Sequence, residues 1–343
     1  MTAPFSWRRA ALDWAFRSAE ATRLMPMLRR AIAGRGAILM FHEIHADPAT
    51  QLMTGTAAAF LDHALGWLKR HGWELVSLDE GLQRLAQDDH TRRFAVVTFD
   101  DGYRDILDMA LPILESHSAP FTIYVPTASL TRTLFSWWLG LRALILANDA
   151  VEIEAMGRRL SCRTLEEKTS AFGEVQHWIR EDFSRASVLK TTFRSAGISL
   201  PAINDGLFLG ETELMTLSRH PLSTIGAHTQ THAVLSSLDE GEVRRELNDN
   251  RAYLEGLLQM PVTHLAYPYG SASACSEREA REARALDFRS AATTRFERLS
   301  GTAQLWLLPR VAVTAGHTPT RFAAQMNGIL FGRPARWLGQ APS

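Results

Sequence analysis

The feature that most constrains the fold is an alternation of short, continuously apolar runs with longer helical patterns. The runs are rich in β-branched and aromatic residues and lie at 37–41, 94–99, 121–125, 223–226, 264–267, 288–292 and 305–308. Strands that are apolar on both faces are typical of parallel sheets, because the connecting helices cover both sides. The alternation therefore predicts an α/β fold built on a parallel sheet or barrel.

The alternation stops between residues 131 and 205, where helical patterns appear around 137–146 and 165–179. Because a connection of this length is uncommon in a compact domain, we interpret it as a helical insertion between two core strands. Two roles remain open for it. In the first, the insertion covers the active site or determines which substrate binds. In the second, it is a surface subdomain with no part in the reaction.

The two ends of the chain differ from the middle. Residues 1–35 show a basic amphipathic pattern that predicts an N-terminal helix, which either docks on the main domain or lies on an anionic membrane surface. The predicted domains are this helix, a main domain at 36–331 that contains the 131–205 insertion, and a loose tail at 332–343.

Composition excludes several classes of protein. Lys plus Arg and Asp plus Glu both number 37, so no net charge calls for a nucleic-acid partner. Asp13 and Arg17 interrupt the apolar run that a secretory signal requires, and no stretch reaches the roughly 18 to 20 apolar residues of a spanning helix. We expect a cytoplasmic protein, with peripheral contact at the inner membrane face as the alternative.

Two adjacent carboxylates, Asp100 and Asp101, follow the apolar run at 94–99. In α/β sheets and barrels, ligands bind where strands end in this way. Adjacent side chains on an extended backbone point to opposite sides, so one carboxylate can face a metal ion and the other the attacking water. Asp-Asp-Gly is also a common turn sequence, which leaves a purely structural role open.

Two histidines, His228 and His232, follow a later predicted strand. On an extended backbone they would lie roughly 13 Å apart, too far to share an ion. A helical turn would instead bring their Cβ atoms to roughly 5 to 6 Å. We therefore expect a turn here, although a histidine pair at this spacing is often coincidental.

Together the two motifs supply two nitrogen ligands and one carboxylate, and they leave a coordination position free for water. This composition is typical of a catalytic zinc site, with zinc as the default and cobalt, nickel or manganese as alternatives. The second carboxylate can then act as general base. A third predicted strand ends in the turn 265–270, where the backbone N–H of Tyr269 can bind an oxyanion.

These motifs resemble those of the polysaccharide deacetylases, the NodB-homology carbohydrate esterases, over residues 36–127 and 207–331. The resemblance implies a distorted (β/α) barrel of about seven parallel strands. It also implies that Asp100 is the catalytic base, that Asp101 binds the metal together with His228 and His232, and that the Tyr269 amide helps to form the oxyanion hole.

The sequence departs from the family pattern at two positions. The arginine that orients the base is missing from the turn at 265–270, and Arg310 replaces the histidine of the late L-x-H motif. We hypothesise that Arg310 contacts Asp100 in place of the missing arginine, and that His42 serves as general acid, with His317 the weaker candidate. This variant pattern resembles the branch of the family that modifies bacterial exopolysaccharides.

The predicted activity is metal-dependent removal of N-acetyl groups from N-acetylhexosamine units, in exopolysaccharides or chitooligosaccharides. The expected partner is therefore an acetylated glycan. The alternatives are an O-acetyl esterase, a hydrolase of small amides, and a catalytically silent glycan-binding protein.

Overall fold

The main sheet is parallel throughout. The computed structural model describes residues 36–47, 52, 54–87, 92–297, 299 and 303–328. Its main strands are β1 (Gly36–Phe41), β4 (Trp73–Leu75), β5 (Arg93–Phe99), β6 (Phe121–Val125), β9 (Ser223–Ala227), β10 (His264–Ala266), β11 (Ser290–Ala292) and β12 (Val311–Ala312). Seven follow the order β11-β10-β9-β6-β5-β1-β12, and β4 pairs with the beginning of β5. The curled parallel sheet confirms the predicted distorted barrel.

Helices surround this sheet. They are α1 (Ala58–Arg70), α2 (Leu78–Ala86), α3 (Leu111–His117), α4 (Thr127–Leu130), α5 (Trp137–Ala147), α6 (Leu165–Glu181), α7 (Leu189–Ser195), α8 (Leu200–Leu207), α9 (Glu211–Ser218), α10 (Glu240–Leu258), α11 (Glu277–Ala285) and α12 (Pro319–Met326). Within the described ranges, we find no helix that could span a membrane. The predicted helix at 1–35 and the tail at 332–343 lie outside the described residues.

One short segment joins the two edges of the sheet. Leu308 pairs with Ala292 of β11, and three residues later Val311 pairs with Leu39 of β1. Both pairings are parallel, so residues 308–311 cross the gap between the outermost strands. The curled sheet is thereby nearly closed, and Arg310 lies within the closing segment.

The strands are buried on both faces because two apolar layers form around them. Ile38, Val96 and Tyr124 pack together in one cluster, to which α2 contributes Leu82, whereas their sequence neighbours belong to a larger cluster that contains residues of several other helices. Side chains alternate between faces with a period of two, so the first cluster fills the inside of the curled sheet. On β5 this inner face reads Phe94, Val96, Thr98 and then Asp100, which places one carboxylate at the inner end of the strand.

The insertion at 131–205 contains α5 to α8 and, in addition to the predicted helices, a hairpin of β7 (Ala150–Ile153) and β8 (Arg158–Ser161). It has its own apolar core, which includes Leu141, Val175 and Phe193. A second small pair, β2 (Ile44–His45) and β3 (Thr56–Ala57), lies after β1. The insertion is therefore a compact unit rather than an extended connection.

A buried ion pair attaches the insertion to the end of β1. Arg142 of α5 lies 2.7 Å and 2.8 Å from the two carboxylate oxygens of Glu43, and both side chains are about 95% buried. Burial alone would raise the pKa of Glu43, but nearby His45 and Arg142 keep that pKa below its usual range. Glu43 follows His42 directly, so this pair fixes the loop that carries His42.

We predict that Arg142→Met destabilises the protein by about 3–5 kcal/mol, because Glu43 would then be buried without a counter-ion. The free energy of unfolding is measured by urea titration at pH 7. Arg158→Met is the matched control, since Arg158 pairs with Glu174 at the surface and its side chain is 62% exposed. The control should lose less than about 1 kcal/mol, and equal losses in both variants would contradict the assignment.

Candidate active site

The candidate site residues come from different strands and meet at one edge of the sheet. Parallel strands bring their carboxyl ends to the same edge, which is where α/β barrels bind ligands. Five chain segments contribute here. They supply His42 after β1, Asp100 and Asp101 after β5, His228 and His232 after β9, Tyr269 after β10, and Arg310 before β12.

Asp101, His228 and His232 converge on one point. The Asp101 Oδ1 atom lies 3.4 Å from His228 Nε2 and 3.1 Å from His232 Nε2. One donor atom from each residue lies within 4.8 Å of the other two, and all three side chains are almost completely buried. These three residues are the metal ligands predicted from the sequence, and the structure brings them together.

The protonation of His228 shows why this cluster suits a cation. His228 Nδ1 lies 2.7 Å from the Ala266 carbonyl oxygen, which can only accept, so Nδ1 carries the proton. The other ring nitrogen, Nε2, faces Asp101 Oδ1 at 3.4 Å, and this buried oxygen accepts no hydrogen bond among the described residues. A ring nitrogen and a carboxylate oxygen at this distance fit a shared metal ion, and the carbonyl is the outer partner that such histidines use.

The charge states agree with this role. Burial alone would raise the pKa of Asp101, but the neighbouring histidines hold that pKa well below its usual range, so the carboxylate is ionised. Burial lowers the pKa of His232, which favours its neutral form. An ionised carboxylate and neutral imidazoles are the forms that bind metals.

The histidine pair converges by a different route from the one predicted. Residues 228–232 do not form a helical turn, because Thr229 and His232 have φ angles of 63° and 61°, in the left-handed region. The His232 N–H donates to the Thr229 hydroxyl, and the Gln230 N–H donates to the Glu246 carbonyl. A tight irregular loop, held by α10, therefore replaces the expected turn.

The two aspartates also diverge differently from the prediction. Asp101 has a φ angle of 71°, so the backbone is not extended at the second carboxylate. Asp100 continues the inner face of β5. The left-handed backbone at Asp101 turns its side chain towards the histidines. The predicted separation of the two carboxylates is present, but a turn produces it rather than the alternation of a strand.

Arg310 donates two parallel hydrogen bonds to Asp100. Its Nη1 and Nη2 atoms each lie 2.7 Å from one oxygen of Asp100, and its Nε donates to the Thr293 carbonyl at 2.8 Å. Arg310 is 1% exposed and Asp100 2% exposed. Burial alone would raise the pKa of Asp100, but the Arg310 guanidinium keeps it below its usual range. Asp100 is therefore ionised at neutral pH.

His42 lies beside Asp100 but is more accessible. Its Nε2 is 3.9 Å from Asp100 Oδ2, and its side chain is 34% exposed. The Asp100 N–H donates to the Phe41 carbonyl, which holds the ends of β1 and β5 side by side. His42 can therefore face both the site and solvent.

The structure does not support His317 as the acid. The Thr314 N–H donates to its Nδ1, and its Nε2 lies 2.8 Å from the Gln325 side-chain oxygen. Burial lowers the pKa of His317 to about 4, so it holds no extra proton at neutral pH. Both ring nitrogens of His317 are therefore bonded to neighbouring residues of the same segment, Thr314 and Gln325.

Tyr269 lies in a tight turn whose backbone is in the left-handed region. Its φ angle is 61°, and a Cβ on the following Gly270 would lie 2.4 Å from the Thr294 nitrogen. Within the part of the chain that the structure describes, the Tyr269 N–H makes no hydrogen bond, so this donor is available. The Tyr269 ring lies 5.0 Å from the ring of His232.

Two tryptophans of the insertion complete the wall of the site. Trp137 Nε1 donates to the Tyr269 hydroxyl at 3.0 Å, and Trp138 Nε1 donates to the Tyr103 hydroxyl at 2.9 Å. The Trp138 ring also lies 5.2 Å from that of His232. The insertion is therefore in contact with the candidate metal site.

The profile of the polysaccharide deacetylase family matches residues 87–289, more than half of the 343-residue chain. The chain belongs to the polysaccharide deacetylase family. This membership confirms the predicted family and makes the protein a carbohydrate deacetylase, a hydrolase. No curated protein sequence matches this deacetylase.

Several solved structures share the fold. The deacetylase PplD of Streptococcus pyogenes gives a TM-score of 0.57 at 18% identity, with 84% of this chain and 97% of that chain covered. IcaB of Ammonifex degensii gives 0.55 at 16%, covering 86% and 97%. A de-N-acetylase of Aggregatibacter actinomycetemcomitans gives 0.53 at 12%, covering 84% and 99%. At these identities the similarity shows a common fold.

Sequence reasoning missed Asn250 of the deacetylase. This fully buried residue of α10 accepts a hydrogen bond from the His228 N–H and donates to the Val125 carbonyl and the Thr127 hydroxyl. It thereby ties the ends of β6 and β9 together beneath the metal ligand. The available signal was a polar residue within the buried stripe of α10, which otherwise contains Val243, Leu247 and Leu254.

We predict a graded loss of zinc affinity, measured by titration calorimetry. Asn250→Ala removes an outer support and should cost about 10- to 100-fold. Asp101→Asn and His228→Ala remove direct ligands and should cost more. His42→Gln is the control and should bind zinc like the wild type. Wild-type affinity in Asp101→Asn and His228→Ala would exclude this cluster as the metal site.

Proposed function

We propose that this deacetylase hydrolyses N-acetyl groups on N-acetylhexosamine units of a glycan, in a metal-dependent reaction. The observation that carries the proposal is the pairing of Asp100 with Arg310 directly beside the Asp101, His228 and His232 cluster. Adjacent carboxylates thus lie in two environments, one suited to binding a cation and the other to accepting a proton. The de-N-acetylase that shares the fold supports an amide as the scissile bond.

Asp101, His228 and His232 would hold a divalent ion, with zinc the default and cobalt, nickel or manganese the alternatives. Such an ion, when bound, acts as a Lewis acid that polarises the acetyl carbonyl, and it lowers the pKa of a coordinated water. The Ala266 carbonyl and Asn250 hold His228 in the orientation that this binding requires.

Asp100 is the general base in this proposal. A carboxylate offers about four lone-pair positions, and Arg310 occupies two of them, which leaves room to accept a proton from water. Arg310 fixes the plane of the carboxylate and keeps it ionised. The pair also contacts Thr98 and Thr293, so neither charge is buried without partners.

The Tyr269 N–H and His42 complete the reaction. The N–H, free of other hydrogen bonds within the described chain, would stabilise the oxyanion of the tetrahedral intermediate. His42 would donate a proton to the leaving amine, because it borders Asp100 and its side chain reaches solvent for reprotonation. Trp138 and Tyr269, which are partly exposed, would provide apolar faces for the sugar rings.

We predict that the zinc- or cobalt-loaded wild type releases acetate from partially acetylated chitooligosaccharides. Asp100→Asn should bind metal but lose about 100- to 10,000-fold in turnover, the usual contribution of a general base. His228→Ala should lose both metal and activity. Acetate is measured enzymatically, with acetylated xylan as the substrate that separates ester from amide hydrolysis.

Two outcomes of this assay would contradict the proposal. Release from acetylated xylan alone would make the protein an O-acetyl esterase. Tight metal binding without release from any acetylated glycan would instead favour a silent glycan-binding protein.

We also predict that His42→Gln lowers kcat by about 100-fold or more, because the leaving amine would depart without a proton. Zinc affinity should not change. The matched control is His317→Gln, which removes an imidazole held by Thr314 and Gln325 and should retain wild-type turnover. If His42→Gln turned over normally, His42 would have no role in the mechanism.

A further inference from the structure

Trp137 connects the core of the insertion to the turn that contains Tyr269. Its side chain packs in the insertion core, and the residue is only 4% exposed. Its indole Nε1 donates to the Tyr269 hydroxyl at 3.0 Å, although the two residues are 132 positions apart. A buried indole N–H requires an acceptor, and this hydroxyl supplies it. The bond therefore reaches from the start of α5 to the edge of the metal site.

The Tyr269 ring has contacts on both the insertion and the metal site. Phe183, in the short helix after α6, has its ring centre 4.5 Å from that of Tyr269. His232 lies 5.0 Å away by the same measure. Tyr269 also packs against the apolar core of the insertion. The insertion therefore determines where this side chain lies relative to a metal ligand.

The backbone at Tyr269 forms a strained three-residue turn. The Gly270 N–H donates to the Pro268 carbonyl at 2.7 Å, and the φ angle of Tyr269 between them is 61°. A γ-turn with a positive φ at its centre is rare, and strained backbone persists only where surrounding contacts hold it. The Tyr269 carbonyl is held by Thr294 Oγ1 at 2.7 Å. The bond from Trp137 is the corresponding contact on the side chain.

At this turn the position of the ring is coupled to the direction of the backbone N–H. Rotation about the N–Cα bond of Tyr269 changes the direction of its N–H relative to its side chain. The Pro268 carbonyl moves with that N–H, because the two belong to one planar peptide unit. Contacts that fix the ring therefore help to fix the N–H that we assign to the oxyanion.

The burial of Trp137 leaves Tyr269 as its route to the reaction. A ring that is 4% exposed offers no face to a sugar, whereas Trp138, the next residue, is partly exposed. Removal of the Trp137 N–H would also leave the Tyr269 hydroxyl without this donor. An effect of Trp137 on turnover is therefore expected to pass through the turn.

We propose that Trp137 is a positioning residue for deacetylation, because its indole N–H holds Tyr269 in the conformation that directs the backbone N–H at the oxyanion. The inference rests on the proposed function and gives the insertion a part in the reaction. A misplacement of about 1 Å costs about 100-fold in rate, and the loss of one oxyanion donor costs about 100- to 1,000-fold. A partly misdirected N–H should therefore cost about 10- to 100-fold in kcat.

Two substitutions break this bond from its two ends. Trp137→Phe removes the donor, and Tyr269→Phe removes the acceptor but keeps the ring and the backbone N–H. Each should lower kcat on a chitooligosaccharide by about 10- to 100-fold with little change in KM, because the oxyanion forms only in the reaction. The double variant should lose no more than either single variant, since all three lack the same contact.

Trp178→Phe is the matched control. Trp178 also packs against the insertion core, but its ring contacts Arg185 rather than Tyr269. This variant should keep the wild-type kcat and KM. A loss in Trp137→Phe that appears mainly in KM would show a contact with the sugar, and additive losses in the double variant would show two independent effects. Either result, or an equal loss of kcat in Trp178→Phe, would overturn the proposal.

Failure of this proposal can be distinguished from failure of the proposed function. Hydrolysis by the wild type with an unchanged kcat in Trp137→Phe would overturn the positioning role alone. If the wild type hydrolyses no glycan, calorimetric titration of the zinc-loaded protein with acetate tests the same contact, because acetate would present an anionic oxygen to the metal and the Tyr269 N–H. Its affinity should fall about tenfold in Trp137→Phe and Tyr269→Phe but not in Trp178→Phe. Unchanged affinity, or no binding of acetate, would overturn the proposal.

Discussion

The structure depends most on the buried pair of Arg310 and Asp100. Arg310 lies in the segment that joins β11 to β1, and Asp100 ends the inner face of β5. The pair therefore links the segment that nearly closes the sheet to the strand at its centre. Removing two charges from water is costly, and the pair is tolerable because Thr98 and Thr293 accept hydrogen bonds from two of the three remaining donors of Arg310. The same contact holds the carboxylate ionised beside the cation site.

The backbone is strained where the site is built. Four of the nine non-glycine residues with positive φ in the described chain are Asp101, Thr229, His232 and Tyr269. Such conformations cost on the order of 1–3 kcal/mol each and persist only where surrounding contacts over-determine them. Asn250 and the Glu246 backbone provide such contacts for the histidine loop. The stability of α10 and the geometry of the metal ligands are therefore coupled.

Much of this arrangement could be predicted from local patterns. Continuous apolar runs predicted the parallel strands, and the residues that follow the ends of those strands include Asp100, Asp101 and His228. A period of two along β5 is sufficient to place Asp100 on the inner face. The turn geometry could not be predicted in this way. The convergence of His228 and His232 depends on left-handed residues and on hydrogen bonds to a helix that begins eight residues later.

The contribution of the insertion also required the structure. Trp137, Trp138 and Arg142 lie far in sequence from Tyr269, Tyr103 and Glu43, their partners. Helical periodicity predicted α5, but it did not predict which side of this helix faces the barrel. The most direct test of the account is X-ray diffraction from zinc-soaked crystals at the zinc absorption edge. We expect one anomalous peak about 2.0–2.2 Å from Asp101, His228 and His232, with Asp100 still bound to Arg310. A peak coordinated by Asp100, or no peak at this cluster, would contradict it.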